Sequence, residues 1–236
     1  MPSLERPDES TLFLKIVQKN TLCSSASLLA LYEQAVFCEK RRMAGDYVEC
    51  GVWKGGSAGL LALVNLRYGS SRRHLHMFDT FDSGKAANTV AEQGGEAVVK
   101  GTDDLARSRL MILRGLHAHP EIHATVNDCR ELIEKTIGYD PAYAHYHEET
   151  FETAVPAVAG EISKIAILKI RAEKCVATRS CLSHMFDKIM KGGFLVIDSY
   201  GACEKCKDTI DEFLASQPKP CFLNKVDDTT RYVVVV

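Results

Sequence analysis

The sequence predicts an α/β fold in which helices cover a mostly parallel sheet. Short apolar segments with strand character alternate with segments whose apolar residues recur at helical spacing, and this alternation is typical of parallel strands joined by right-handed crossovers. The last two strand-like segments are joined by residues 227–230, a hairpin-type turn that makes the final pair antiparallel. The chain of 236 residues, 46% of them hydrophobic, has the size and composition of a single globular domain.

The first 45 residues predict a helical arm in front of the main domain, which spans residues 46–236. Leu28, Tyr32 and Ala35 recur at helical spacing in this arm. Gly45 ends the helix, since glycine favours the left-handed conformation that often follows a helix.

The sequence of the main domain predicts seven strands: Asp46–Cys50, His74–Asp79, Ala142–His147, Lys164–Ile170, Phe194–Asp198, Cys221–Val226 and Tyr232–Val236. It also predicts five helices: Leu60–Arg67, Asn127–Ile137, Phe151–Ile162, Leu182–Met190 and Cys206–Leu214. Asn127 is the expected cap of the second of these helices, and Gly138 its expected end. The polar, glycine-rich segment Ser83–Thr102 is predicted to be a mobile loop or lid.

Charge and composition exclude several classes of protein. The net charge of −2 and the pI of about 6.4 provide no basic field for nucleic acid or an anionic membrane, so neither partner is expected. No apolar run approaches the roughly 20 residues of a transmembrane helix, and the polar N-terminus lacks the core of a signal peptide. Nine scattered cysteines, an odd number, favour reduced thiols, and we therefore expect a cytoplasmic protein.

The first strand ends in a glycine-rich motif, Glu49-x-Gly51-x-x-x-Gly55-Gly56-Ser57. Glycines let a ligand approach the backbone closely, and the N-terminus of the next helix offers free N–H groups to an anion. Because the second glycine of the dinucleotide fingerprint is missing, the motif favours S-adenosylmethionine (SAM) over a bound pyrophosphate. In that interpretation Glu49 lies near the ammonium of SAM; the alternative is a tight turn without a ligand.

A carboxylate ends the second strand. Asp79 would lie one strand away from the glycine turn, at the edge where open parallel sheets bind their ligands. A carboxylate in this place suits the ribose diol of SAM, and the alternative is a helix cap or a surface acid. The two strand ends together strengthen the prediction of a SAM site.

A set of longer segments points to one family. The segments are Ala30–Glu33, Gly45–Ser57, Phe78–Asp82, Gly138–Tyr139, Glu149–Thr153, Pro156, Gly192–Asp198 and Tyr200–Gly201. They resemble the macrocin O-methyltransferase family (TylF/MycF type), bacterial enzymes that use SAM to methylate sugar hydroxyls of natural products. The resemblance implies a class I methyltransferase fold, a Rossmann-like seven-stranded sheet with the strand order 3-2-1-4-5-7-6, and homo-oligomers formed through the N-terminal arm.

The resemblance also extends the predicted SAM site beyond the two strand ends. The cofactor-binding residues that it implies are Glu49, Gly51, Val52, Trp53, Gly55, Gly56, Ser57, Asp79, Thr80, Phe81, Glu149, Thr150 and Phe151. The last three of these residues would lie near the adenine.

The chain departs from the family at the magnesium site. By the resemblance, the family's ligands are the first aspartate of a Leu-Asp-x-Asp segment after the fourth strand and an Asp-Asp pair after the fifth. Here Arg171 and Glu173 replace the two aspartates of that segment, and Asp198-Ser199 replaces the pair. One carboxylate beside a permanent cation cannot provide the octahedral oxygen site that Mg²⁺ requires, so we expect no bound metal. We expect Arg171 to pair with Asp198 across neighbouring strand ends.

The predicted activity is a metal-independent O-methylation of a small-molecule acceptor. Its candidate catalytic residues are Arg171, Glu173, Asp198 and Tyr200, with His147 as a further candidate base. Arg171 would bind an anionic group of the acceptor, because a guanidinium forms bidentate hydrogen bonds with such groups. Two alternatives stay open: a non-catalytic protein that binds SAM or a partner, and an enzyme that uses SAM for chemistry other than methyl transfer.

Three further patterns, of cysteines, histidines and lysines, do not indicate a functional site. Cys203-x-x-Cys206 begins a helix, where thiol pKa values fall, but no second Cys-x-x-Cys pair completes a zinc motif, so packing is the favoured interpretation. The histidines at 117, 119 and 123 lack the glutamate of a metalloprotease helix. Five dispersed lysines are interpreted as solvated charge: Lys164, Lys169, Lys174, Lys188 and Lys191.

Overall fold

The computed structural model describes residues 8–81 and 124–236. The α-helices in these ranges are α1 (Glu9–Val17), α2 (Ser25–Lys40), α3 (Gly56–Tyr68), α4 (Val126–Arg130), α5 (Phe151–Ala159), α6 (Cys175–Met185) and α7 (Glu204–Ala215), and a π-helical segment, Glu131–Thr136, continues α4. The strands are β1 (Asp46–Cys50), β2 (Leu75–Phe78), β3 (Ala144–His147), β4 (Ile165–Arg171), β5 (Ile189–Asp198), β6 (Asn224–Lys225) and β7 (Arg231–Val234). The predicted lid, Ser83–Thr102, and the histidines at 117, 119 and 123 lie outside the described residues.

The strands form one sheet in the order β3-β2-β1-β4-β5-β7-β6. The first five strands in this order are parallel, whereas β7 is antiparallel to both β5 and β6. The structure therefore confirms the mostly parallel sheet, the closing hairpin and the strand order that the family resemblance implies. Because parallel strands all end on the same side, five carboxyl ends meet at one edge of the sheet.

Helices cover both faces of the sheet and form two hydrophobic cores. Successive residues of β1 point to opposite faces, so Tyr47 packs in the first core and Val48 in the second. Leu31 and Ala35 of α2 are buried in the first core together with residues of α3, so the N-terminal arm shares the core of the main domain. Side chains of α5, α6 and α7 pack around Leu168 in the second core. None of the helices in residues 8–81 and 124–236 combines the length and hydrophobicity that a membrane crossing requires.

The start of α4 differs from the prediction. Thr125, not Asn127, caps the helix: the Thr125 side chain accepts a hydrogen bond from the backbone N–H of Asp128, and the Asp128 carboxylate accepts one from the N–H of Thr125. This reciprocal arrangement is a capping box, which satisfies two backbone donors that the helix leaves free. The helix after β1 also starts earlier than expected, at Gly56 instead of Leu60.

The end of α6 differs as well. Ile189 and Met190, predicted as its last residues, belong to β5, and Gly192 and Gly193 lie inside this strand. A Cβ atom at Gly193 would come within 2.7 Å of the Ala166 carbonyl oxygen in β4. The glycine therefore allows the close approach of two strands.

Candidate functional site

Four strand ends bring the predicted site residues to the carboxyl edge of the sheet. Glu49 of β1 lies opposite Lys169 of β4, and Arg171 of β4 lies opposite Asp198 of β5. Asp79 follows β2, which pairs with β1 on its other side. Residues that are far apart in the sequence thus form one continuous group.

Close backbone contacts shape the turn between β1 and α3. Gly51 has a φ of +96°, and a Cβ atom there would lie 2.5 Å from the Cβ of Arg171. A Cβ atom at Gly56 would lie 2.6 Å from the carbonyl oxygen of Asn20 in the arm. Any larger residue at either position would collide with its neighbour, so the fold itself requires these glycines in addition to any ligand.

Asp79, directly after β2, forms a hydrogen bond with the turn between β1 and α3. Its Oδ2 accepts a hydrogen bond of 2.8 Å from the backbone N–H of Trp53. Asp79 and Thr80 are partly exposed, whereas the next residue, Phe81, is buried in the first core. The prediction of a carboxylate beside the glycine turn is therefore confirmed, and Phe81 has a packing role.

Glu49 is a fully buried carboxylate at the glycine turn. Its Oε1 accepts hydrogen bonds from Lys169 Nζ, at 2.9 Å, and from the hydroxyl of Ser57. Its Oε2 has no hydrogen-bond partner among the residues that the structure describes. Since a buried carboxylate oxygen without a partner is destabilising, this atom is suited to accept a donor from a bound ligand.

Lys169 is a site residue, contrary to the prediction from its sequence. It was predicted as solvated charge, but it is 2% exposed, and its Nζ lies 2.9 Å from Glu49 and 3.5 Å from Asp198. Burial opposes the ammonium charge, yet the facing groups Cys23, Glu49 and Asp198 outweigh burial and raise the pKa of Lys169. The missed signal was its position inside the apolar run Ile165–Ile170, because a lysine in a buried strand requires a partner.

Asp198 is surrounded by donors from the protein. Its Oδ2 accepts a hydrogen bond from the thiol of Cys23 at 3.1 Å, and its Oδ1 accepts from the N–H of Ser199 at 3.0 Å and the hydroxyl of Thr230 at 3.4 Å. Burial alone would raise the pKa of this carboxyl group, but the facing Lys169 and a neighbouring guanidinium hold it below its ordinary value. Both oxygens of the ionised carboxylate are therefore engaged. No sequence pattern pointed to the contact with Cys23.

Arg171 pairs with Glu173 instead of Asp198. Its Nε lies 2.6 Å from Glu173 Oε1, as an ion pair in which the N–H is not aligned for a hydrogen bond. The predicted ion pair between Arg171 and Asp198 is therefore wrong, because Asp198 forms its ion pair with Lys169. The Arg171 and Glu173 side chains are 14% and 17% exposed, so this pair remains in contact with solvent.

The remaining predicted residues lie at the start of α5 and after β5. Glu149 and Thr150 are exposed, and Phe151 packs against the second core. The hydroxyl of Tyr200 donates a 2.7 Å hydrogen bond to Asp211 in α7. This bond engages the hydroxyl within the protein and argues against Tyr200 as the proton acceptor.

His147 forms part of a stack of rings on β2 and β3. Its ring lies 4.2 Å from that of Phe78 and 5.6 Å from that of His76, measured between centroids. Burial, with smaller contributions from His76 and His145, lowers the pKa of His147 to about 4. A histidine with so low a pKa is a weak base, which argues against His147 as the catalytic base.

Comparison with known families identifies the group to which the protein belongs. A model of the family described as Macrocin-O-methyltransferase (TylF) matches residues 20–234, which is most of the chain. This chain belongs to the macrocin-O-methyltransferase (TylF) family. The match spans every strand end described above and confirms the resemblance seen in the sequence.

Two relatives illustrate the similarity of this chain to individual enzymes. The demethyldecarbamoylnovobiocin O-methyltransferase of Streptomyces niveus is 26% identical over 176 residues, which cover 72% of this chain and 58% of that protein. The mycinamicin III 3''-O-methyltransferase of Micromonospora griseorubida is 23% identical over 178 residues, which cover 72% of this chain and 60% of that protein. The chain therefore matches less than two thirds of the length of these relatives.

Solved structures share the fold. The O-methyltransferase NovP superimposes with a TM-score of 0.75 at 18% identity, covering 96% of this chain and 98% of that one. CalS11, a TDP-rhamnose 3'-O-methyltransferase, superimposes with a TM-score of 0.55 at 15% identity, covering 99% and 96%. These similarities confirm the class I methyltransferase architecture.

The site of this TylF family member fits SAM better than it fits Mg²⁺. Two of the three positions that the resemblance assigns to magnesium hold Arg171 and Ser199, and the third, Asp198, already accepts hydrogen bonds from the protein. A hard cation that requires near-octahedral oxygen ligands does not suit a place lined by a guanidinium and an ammonium. The free Oε2 of Glu49, in contrast, suits the ammonium of a SAM molecule.

Proposed function

We propose that this protein is a SAM-dependent methyltransferase that acts on a small-molecule acceptor without Mg²⁺. The observation that carries the proposal is the unpartnered Oε2 of buried Glu49 beside the glycine turn, because the methionine ammonium of SAM would satisfy it. Family membership supports the activity, since the relatives in Streptomyces niveus and Micromonospora griseorubida are named O-methyltransferases.

Three strand ends would hold the cofactor. Glu49 would accept a hydrogen bond from the methionine ammonium of SAM. The free N–H groups at the start of α3, near Ser57, would bind the methionine carboxylate. Asp79 would bind the ribose, and residues 149–151 would border the adenine. When bound, SAM supplies an electrophilic methyl group, so the protein has to align the acceptor and exclude water.

We assign the Arg171–Glu173 ion pair to the acceptor. The side chains of this pair are partly exposed, whereas the other cation at this edge, Lys169, is fully buried. Arg171 would bind an anionic substituent of the acceptor, and Glu173 would receive the proton of the hydroxyl that is methylated. Asp198 would hold Lys169 in place and would not contact the acceptor.

Titration calorimetry with SAM tests the cofactor site. We expect binding that is unchanged by Mg²⁺ or by EDTA. Asp79→Asn should weaken SAM binding by about tenfold, since a hydrogen bond to a charged group contributes roughly 1.5 kcal/mol. Asp187→Asn removes the same charge at an exposed position and should leave the affinity unchanged. A wild-type protein that does not bind SAM would contradict the proposal, and a magnesium-dependent gain in acceptor binding would contradict its metal-free part.

A second function, a SAM-binding protein without catalysis, is favoured by one observation. Asp198, which matches a family ligand, is fully engaged by protein donors. Transfer of a labelled methyl group from SAM to a panel of glycosylated acceptors distinguishes the two functions. Labelled product supports the enzyme, whereas SAM binding without product for any acceptor supports the second function.

A further inference from the structure

Three thiols converge next to the carboxyl edge. Cys175 is the first residue of α6, Cys203 directly precedes α7, and Cys206 lies in the first turn of α7. Their sulfur atoms all lie within 4.8 Å of one another, and the sulfurs of Cys175 and Cys206 are 3.2 Å apart. The sequence suggested only the Cys203–Cys206 pair; Cys175 joins it because β4 and β5 are neighbours in the sheet.

This arrangement matches the stereochemistry of a zinc site. With Zn–S bonds of about 2.3 Å and tetrahedral angles, sulfurs bound to zinc are about 3.8 Å apart. The sulfur–sulfur distances of the cluster, 3.2 Å for Cys175 and Cys206 and at most 4.8 Å for the other pairs, lie around this value. Cys206 is fully buried, whereas Cys175 and Cys203 are partly exposed. One side of the cluster is therefore open to the entry of an ion and to a fourth ligand such as water.

Zinc binds the thiolate form of cysteine, so each of the three thiols would release its proton when the ion binds.

We propose that Cys175, Cys203 and Cys206 bind one Zn²⁺ ion, with water as the fourth ligand. The ion would hold the start of α6 against the start of α7. It would thereby fix the two loops that follow Arg171 and Asp198, the first of which contains Glu173. The site is chemically distinct from the family's magnesium site, because its donors are soft thiolates and not carboxylates. The proposal does not depend on methyltransferase activity.

Direct metal binding tests this site. The reduced, metal-free protein is titrated with Zn²⁺ in competition with a chromophoric chelator, and with Co²⁺ to record the thiolate-to-cobalt charge-transfer band. We expect one ion per chain and a charge-transfer band typical of tetrahedral thiolate coordination. Cys175→Ser and Cys203→Ser should each weaken Zn²⁺ binding by more than about 100-fold, since even the loss of an outer partner weakens metal sites by about 10–100-fold.

Cys221→Ser is the matched control, because Cys221 is also a partly exposed free cysteine but lies outside the cluster. It should bind both ions as the wild type does. Circular dichroism confirms that each variant is folded before its affinity is compared. Absence of the charge-transfer band in the wild type, or equal affinity in the three variants, would overturn the proposal. A disulfide between Cys175 and Cys206 that persists in the purified protein under mild reduction would replace it with a redox pair.

Discussion

At the level of single residues, the carboxyl edge contains charges that compensate one another away from water. Lys169 lies between Glu49 and Asp198, and all three side chains are almost fully buried. In a medium of low polarity, each of these charges is stable only while the others are present. The ammonium of Lys169 and the guanidinium of Arg171 provide positive charge in this part of the protein, where the family resemblance implies a magnesium site.

Replacement of the central cation tests this interpretation. We expect Lys169→Met to lower the free energy of unfolding by about 3–5 kcal/mol, because two buried carboxylates lose their partner. Lys164→Met, at an exposed position just before β4, should change the stability by less than about 0.5 kcal/mol. Urea denaturation followed by circular dichroism measures both values. Equal stability of the two variants would show that the buried charges are not coupled.

At the level of elements, strands β2 and β3 form a ladder of histidines at one end of the sheet. Nδ1 of His74 lies 2.8 Å from Nε2 of His145, and the His76 and His145 rings stack with their centroids 4.6 Å apart. Protonation of several rings in such a stack is unfavourable because like charges would lie close together. Burial, with a smaller contribution from this repulsion, lowers the pKa of both His145 and His147.

The ladder predicts a loss of stability in acid. The pKa of His147 falls from 6.5 to about 4 on folding, so the unfolded chain binds the proton more tightly. Stability is therefore fully present above about pH 6.5 and is lost as the pH falls towards 4. After allowance for solvent screening of this half-exposed ring, we expect a contribution of about 1 kcal/mol. Urea denaturation across this pH range measures it.

The variant His147→Gln should lose this part of the pH dependence, since glutamine does not titrate. His184→Gln, which changes an exposed histidine of α6, should keep it. If the acid sensitivity of His147→Gln equals that of the wild type, the ladder is not its source.

At the level of the whole molecule, the N-terminal arm and the sheet share one hydrophobic core. Leu31 of α2 is 1% exposed and belongs to the same core as Tyr47 of β1. The arm also reaches the site, because Cys23 donates a hydrogen bond to Asp198 and Asn20 packs against Gly56. Loss of the arm would therefore disturb both the core and the carboxyl edge.

A core mutation in the arm tests this coupling. We expect Leu31→Ala to lower the free energy of unfolding of the whole protein by about 2–5 kcal/mol, through lost burial and a cavity. Leu29→Ala, at a position that is 41% exposed, should have a much smaller effect. Calorimetry should show a single transition for both variants. A separate early transition of the arm would indicate that it folds independently.

Local patterns were sufficient to predict most elements. The strand Asp46–Cys50 was predicted with its observed bounds, since a short strand-like segment directly before a glycine turn is a strong local signal. Predictions failed where two signals competed, as at Ile189, whose apolar side chain suited a helix but which pairs with Ile165 in the sheet. Long-range strand pairing decided such cases.

The sequence by itself determined the class of fold, the order of its elements, the glycine turn and the family, because periodicity, turn chemistry and motifs are local properties of the chain. Only the tertiary structure decided which charges are partners. Cys23 and Asp198 are separated by 175 residues, and Glu49 and Lys169 by 120. The energy of a buried charge depends on the groups that surround it in space, and the packing of the sheet brings those groups together from distant parts of the chain.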